Sequence, residues 1–229
     1  MTSRKASEII RIDGSLGEGG GQVLRSALTL SLLTCTPIEI HNIRAHRPKP
    51  GLMTQHLFSV KAAAAVGDAQ VEGVHLGSTQ LSFEPRALRS GDFRFDLHTA
   101  GSTSLIVQTI ALPLSYAAAP SSVMLTGGTH VPWSPCFHYL ALHWLLYIRE
   151  VGFDIEIELE QAGFYHDDSS VFLGSMSTLL SICRSDQLEK LESPLSARNP
   201  TIYAREAWYG TCTAFPIAGE GAEESFTST

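Results

Sequence analysis

The apolar positions of this chain recur in helical and strand periods whose order repeats. Ile9 to Ile12 reads as a short strand that runs into the glycine-rich stretch 13–21. Gln22 to Leu33 then places Leu24, Ala27, Leu28 and Leu32 on one helical face, with Ser31 interrupting the stripe. Pro37 to Ile43 alternates as a strand, Pro50 and Gly51 punctuate, and Met53 to Val66 predicts a second helix. Ala69 to Val74 and Gln80 to Phe83 complete the unit as two strands joined through Gly77 and Ser78, which gives βαβαββ over residues 8–87.

From Asp92 the order returns. Phe93 to Leu97 predicts a strand, Gly101 a turn, Ser102 to Ala118 a helix and Val123 to Thr126 a strand. After the Gly127-Gly128 turn come a helix over Pro135 to Val151 and an alternating strand over Phe153 to Leu159, so residues 91–165 match the first unit except for its last strand. Beyond Tyr165 the pattern breaks. The run 167–170 is polar, Val171 to Ile182 is an apolar element, 184–205 is charged and interrupted by proline, and 218–229 is small, acidic and expected to be disordered. Two such units, each with helices on one face of a small mixed sheet, predict a layered α+β fold rather than a doubly wound one, followed by a divergent tail over 166–229.

Composition changes this picture in four places. At 229 residues, with 44% hydrophobic and 17% charged residues, the chain is long enough to bury a substantial core. Leu97 to Tyr147 holds no Asp, Glu, Lys or Arg, but Gln108, Thr109, Pro113 and Ser115 break its most apolar part well short of the roughly 20 residues a bilayer requires. A buried helix is expected there, and no membrane partner. The four cysteines are widely separated with no C-x-x-C pair, and Arg4, Lys5, Glu8 and Arg11 interrupt any leader-like run, so an intracellular protein, nuclear or cytoplasmic and not secreted, is expected. The net charge of −7 argues against non-specific nucleic-acid binding, yet residues 1–61 carry eight Lys/Arg against four Asp/Glu. A locally basic surface on an acidic chain suits one phosphate-bearing end of a ligand.

The candidate chemistry lies on that basic side. The turn Gly17-Glu18-Gly19-Gly20-Gly21 has no Gly-Lys-Ser/Thr ending for a P-loop, and Gln22 stands where a dinucleotide fingerprint has its last glycine. Glu18 fits two readings: the far end of a Ser15-x-x-Glu18 capping box, or a ligand for Mg²⁺ or Mn²⁺ bridging to a polyphosphate held by the turn. Arg44, His46, Arg47 and Lys49, between prolines and followed by Gln55 and His56, fit a solvated charged face or a phosphate grip, and the backbone restriction by proline favours the grip. Gln108 within an apolar helix requires a hydrogen-bond partner, either backbone or an adenine edge. The nine histidines form no H-x-x-x-H or triad-like pattern, and His138 and His143 read as core or boundary residues.

Four stretches in order, GEGGGQVLRSAL (17–28), IRAHRPKPGLMTQH (43–56), TAGSTSLIVQT (99–109) and GGT (127–129), resemble the RNA 3′-terminal phosphate cyclase family. The likeness runs from about Ile9 to Tyr165. It implies a large domain of three βαβαββ units with a small inserted domain, of which the two units here are similar to the first two and the tail to a remnant of the insert. It also implies ATP-dependent ligase-like chemistry: a histidine takes AMP from ATP, passes it to an RNA 3′-phosphate, and the neighbouring 2′-hydroxyl displaces AMP to close a 2′,3′-cyclic phosphate. By the same likeness, Glu18, Gln22, Gln108 and Pro135 contact ATP, Glu18 also holds Mg²⁺ or Mn²⁺, and Arg25, Arg44, Arg47, Lys49 and Gln55 take the phosphate of the RNA end.

Where the family continues from Ala162-Gly163-Phe164-Tyr165 into a proline and a glycine-rich strand, this chain has His166 and 167–170. The last strand of the second unit is therefore expected to be missing, and no histidine here matches the family nucleophile. The alternative function is an RNA- or nucleotide-binding fragment that cannot adenylylate itself.

Overall fold

The alternation of Ile38 and Ile40 with Glu39 and His41 sets the inner sheet of the first half: the isoleucines are buried and the polar residues face outward. The computed structural model, which describes residues 9–97, 99, 101–164 and 177–182, runs β1 (Ile10–Asp13), α1 (Gly21–Thr34), β2 (Ile38–His41), α2 (Thr54–Gly67), β3 (Gln70–Glu72) and β4 (Leu81–Glu84). Next come β5 (Asp92–Asp96), α3 (Thr103–Ser115), β6 (Ser121–Thr126), α4 (Phe137–Tyr139), a π-helical turn over Leu140–Trp144, α5 (Leu145–Glu150), β7 (Ile155–Leu159) and β8 (Ser177–Ile182). The fold is mixed, with helices layered on two small sheets.

Both sheets have four strands in the same relative order, β1-β2-β4-β3 and β5-β6-β8-β7. In each, the first pair is parallel and the others antiparallel; Ile10 lies opposite Ile38, and Asp92 opposite Ser122. The expectation of a missing last strand is corrected here: Ser177–Ile182 fills that place, pairing with β6 from Ser121 to Thr126 and with β7 from Ile155 to Leu159. It is an interior strand, so β7 reaches the sheet only through it. The break in apolar pattern after Tyr165 hid this, because the pairing segment arrives late and is flanked by polar residues. The segments 167–170, 184–205 and 218–229, expected to be polar, charged and disordered, lie outside the described residues.

The two halves share a helical layer. On α1, Leu24, Leu28 and Leu32 pack on Ile38, Ile40, Leu81 and Phe83, while α3 sets Ile106, Val107, Ile110 and Leu114 against Val123, Leu125 and Ile155. α2 serves both cores: Val60 and Ala63 belong to the first, Ala62 and Val66 to the second. Its small residues permit close approach to α3. The hydroxyl of Thr29 on α1 donates to the carbonyl of Thr109 on α3 at 2.9 Å.

α3 is thus buried on nearly every side, which accounts for the charge-free sequence around it. It ends at Ser115, three residues before the predicted Ala118, just after Pro113 removes a backbone donor. Among the described residues no helix is long and apolar enough to cross a membrane. The helical run 137–150 occupies in the second half the place of α2, but it leaves Leu142 (61%), Leu146 and Tyr147 exposed where α2 is covered by α3.

Candidate functional site: a glycine turn faced by basic side chains

The site begins where β1 ends. Asp13 Oδ1 accepts the backbone N–H of Ser15 at 3.0 Å, its hydroxyl at 2.8 Å and the Asn42 amide at 3.2 Å, and these bonds hold the carboxyl below the usual carboxylate range. Ser15 is therefore committed to Asp13, and the capping-box reading of Ser15 and Glu18 is overturned. The cap of α1 is Gly20, extended and without any side-chain hydrogen bond, and no acidic residue occupies the first turn. Glu18 instead approaches Arg47 Nη2 at 3.4 Å. An uncapped helix start of this kind leaves N–H groups free to meet an anion.

The loop after β2 folds over that helix start. Arg44 has φ 56° and donates from Nη1 to the carbonyls of Lys49 and Gly51, both at 2.8 Å, closing the loop on itself. Lys49 contributes a carbonyl there while its side chain is exposed. Three successive glycines then face four basic side chains: a Cβ on Gly19 would lie 3.2 Å from His46 Nδ1, one on Gly20 3.0 Å from Arg47 Nη2, and one on Gly21 would run into His56 Nε2 and Arg25 Nη1. The absence of side chains in the turn is what admits these four groups.

Arg25 and His56 form the floor. Arg25, one turn into α1, is only 8% exposed; its Nη2 donates to Gln22 Oε1 at 3.0 Å, and its Nε is buried with no partner among the described residues. Burial pushes its pKa down to about 10. His56 sits in the first turn of α2 and accepts the N–H of Met53 at Nδ1, 3.1 Å away, so the neutral ring carries its proton on Nε2, towards Gly21 and Arg25. Burial first, then Arg44 and Arg25, lower its pKa to about 3. His56 followed the basic loop in sequence but stood out there only as a neighbour of Gln55. Its signal was a polar residue in register with Val60 and Ala63 on the buried face of α2.

The His56 shift gives a pH prediction. Its folded pKa is depressed from 6.5 to about 3, so the unfolded chain binds the extra proton between those values and the associated stability is lost as pH falls through that window. Urea unfolding is expected to show the wild type losing on the order of several kcal/mol between pH 6.5 and 3. His56→Gln, which does not titrate, should flatten the curve; parallel curves for the two proteins would refute the buried neutral histidine.

The remaining predicted residues do not belong to the floor. Gln55 lies in the first turn of α2, 3.6 Å from a Cβ built on Gly101. Gly101 accepts the N–H of Gly128 at 2.7 Å, which joins the start of α3 to the loop after β6. Ser102 caps α3, buried, with a hydroxyl that has no partner among the described residues. Gln108 is half-buried on α3, and Pro135 is exposed on the loop before α4. Among the described residues, neither makes a hydrogen bond to the arginine cluster. No group of three or more His, Cys, Asp or Glu able to hold a metal occurs among them either. A lone exposed Glu18 fits a Mg²⁺ ligated mostly by phosphate oxygens and water, which is the usual way that ion is held.

A family model described as RNA 3′-terminal phosphate cyclase matches residues 16–178. Relatives of that name include one from Archaeoglobus fulgidus, 48% identical over 157 residues, covering 69% of this chain and 48% of the relative. Those from Pyrobaculum neutrophilum (51%, 68% of this chain and 45% of the relative) and Ectopseudomonas mendocina (50%, 69% and 46%) are similar. The chain spans about half the length of the curated relatives it matches. With the family match extending over most of its length, the chain belongs to the RNA 3′-terminal phosphate cyclase family.

Proposed function

We propose that the chain acts in the ATP-dependent conversion of an RNA 3′-terminal phosphate to a 2′,3′-cyclic phosphate through adenylylated intermediates, and that its own described residues hold the phosphate end. The observation that carries this is the buried Arg25, whose Nε has no partner among the described residues, beneath an uncapped helix start ringed by His46, Arg47 and His56. Such a cluster supports a compact dianion better than a phosphodiester track, because its basic side chains gather at one helix start rather than along a surface. Arg25 and the Nε2–H of His56 would grip terminal phosphate oxygens, with Arg44 and Arg47 neutralising the rest of the charge. Glu18 and Gln22 stand at the entrance, where a nucleotide polyphosphate and its Mg²⁺ would add a second anion; ATP supplies the activated AMP group when bound. Lys49, Gln55, Gln108 and Pro135 would line the rest of that nucleotide and the RNA end.

The test is binding and labelling of the whole chain. It is expected to prefer a 3′-phosphorylated oligonucleotide over its 3′-hydroxyl counterpart at least tenfold, and Arg44→Glu with Arg47→Glu should abolish the preference. Incubation with ATP labelled at the α-phosphate and Mg²⁺ separates the two readings: a histidine–AMP adduct would mean that one of the chain's own histidines serves as nucleophile. Retained 3′-phosphate preference with no adduct would assign the chain a binding role without self-adenylylation. If the double variant still discriminates the two ends, the phosphate pocket is wrongly located.

A further inference from the structure

Beyond the phosphate pocket, one surface of the loop after β6 has no role in the proposed chemistry. Trp133 is 86% exposed and held at φ 63°, a backbone conformation that a bulky side chain rarely adopts. Such strain persists only where the surroundings impose it, and here it presents the indole outward from the turn that Ser134 closes by donating to the Val131 carbonyl at 3.1 Å. Three residues earlier, His130 stacks on Phe164, centroids 5.0 Å apart at 28°, and Phe164 is itself 62% exposed. The stack is fixed from below. The backbone amides of Thr129 and His130 both donate to the Gly163 carbonyl, the Gly163 amide donates to the Thr129 hydroxyl at 3.0 Å, and His130 Nε2 lies 2.8 Å from His138 Nδ1. These contacts hold flat aromatic faces in water on a rigid base.

A run of contacts links the head of this loop to the proposed phosphate pocket. Gly128, at the head of this loop, pairs with Ser102 and donates to Gly101; Gly101 lies against Gln55; and the next residue, His56, faces Gly21 and Arg25. We propose that Trp133, together with the stack that His130, three residues earlier, makes on Phe164, is a stacking platform for the unpaired bases of a single-stranded RNA whose 3′-phosphate occupies the Arg25–His56 pocket, an inference that rests on the proposed function. An open indole suits a base at the end of a flexible strand, since every base has a π face and stacking needs no enclosure. The adenine of a bound nucleotide calls for a concave, enclosed site. A protein partner fits the helix-borne Leu142, Leu146 and Tyr147 better than this platform.

The experiment compares wild type, Trp133→Ala and Trp133→Phe as full chains by anisotropy of a labelled single-stranded hexanucleotide, with and without a 3′-phosphate, and by ATP binding. Trp133→Ala is expected to bind both RNAs about 5- to 100-fold more weakly, with its preference for the 3′-phosphate, its ATP affinity and its melting temperature unchanged. Trp133→Phe should recover most of the loss. Equal RNA affinity in wild type and Trp133→Ala would overturn the platform, and so would a loss confined to ATP, which would make adenine the occupant. A wild type that binds RNA without regard to the 3′-phosphate would refute the pocket and leave the Trp133→Ala loss to decide the platform. A wild type that binds neither RNA would refute both.

Discussion

Gly21→Ala is expected to weaken binding of a 3′-phosphorylated RNA end by at least tenfold and to destabilise the chain by about 1–3 kcal/mol. Helix propensity predicts the opposite sign, since alanine is favoured over glycine inside a helix by about 1 kcal/mol. The two effects are separable because Gly21 opens α1 and is not among the residues with positive φ, so alanine meets no backbone objection there. What it meets is the imidazole of His56 and the guanidinium of Arg25. His56 is 3% exposed and bonded to the Met53 amide, so it cannot swing away cheaply. A double-mutant cycle tests this cause: in Gly21→Ala with His56→Ala the collision is relieved, and the pair should be little less stable than His56→Ala alone. Urea midpoints at pH 7 and binding of the 3′-phosphorylated oligonucleotide are the measurements. A Gly21→Ala protein as stable as wild type would mean that His56 does not pack against the turn.

The same contact shows which parts of the molecule were legible in sequence. Helices α1 and α2 fall within one residue of the predicted limits because their apolar stripes have a clean period and end at Cys35 and Asp68, both in the left-handed conformation. The charge-free stretch around α3 correctly signalled a helix buried on several sides. The basic loop and glycine turn were each visible as compositions, and their opposition follows once β1 and β2 are parallel neighbours, with both turns leaving the same ends of adjacent strands.

Other features depend on contacts between residues far apart in sequence. The strand Ser177–Ile182 joins β6 and β7 across a long intervening segment, and a run of serines and leucines does not announce which sheet it enters. The capping box failed because a nearer acceptor, Asp13, captured Ser15. His56 was missed because its chemistry depends on Gly21, thirty-five residues earlier, which no periodicity within α2 records. Arg25 was read as a phosphate ligand from family likeness alone, and its burial is a property only the packing of α1 supplies.

That burial makes Arg25→Met the second large prediction: the variant is expected to be more stable than wild type at pH 7 while losing affinity for 3′-phosphorylated RNA by about 100-fold or more. Arg25 contacts Gln22, has an unpartnered Nε, and forms no ion pair among the described residues, so its charge lies desolvated and incompletely compensated. Its folded pKa of about 10 lies below the ordinary guanidinium range, so folding disfavours the charged form, a penalty in full force below pH 10 and relieved as pH rises above it. The penalty is on the order of 3 kcal/mol, and methionine of similar length fills the space without it. Inorganic phosphate gives an independent reading: it should raise the melting temperature of wild type, which gains a partner for the buried cation, and leave Arg25→Met unmoved. An Arg25→Met protein that is less stable than wild type, yet equally stabilised by phosphate, would mean that the guanidinium holds the fold rather than an anion. The opposite result explains why a poorly paired cation is kept inside the helix layer: its missing partner is the ligand.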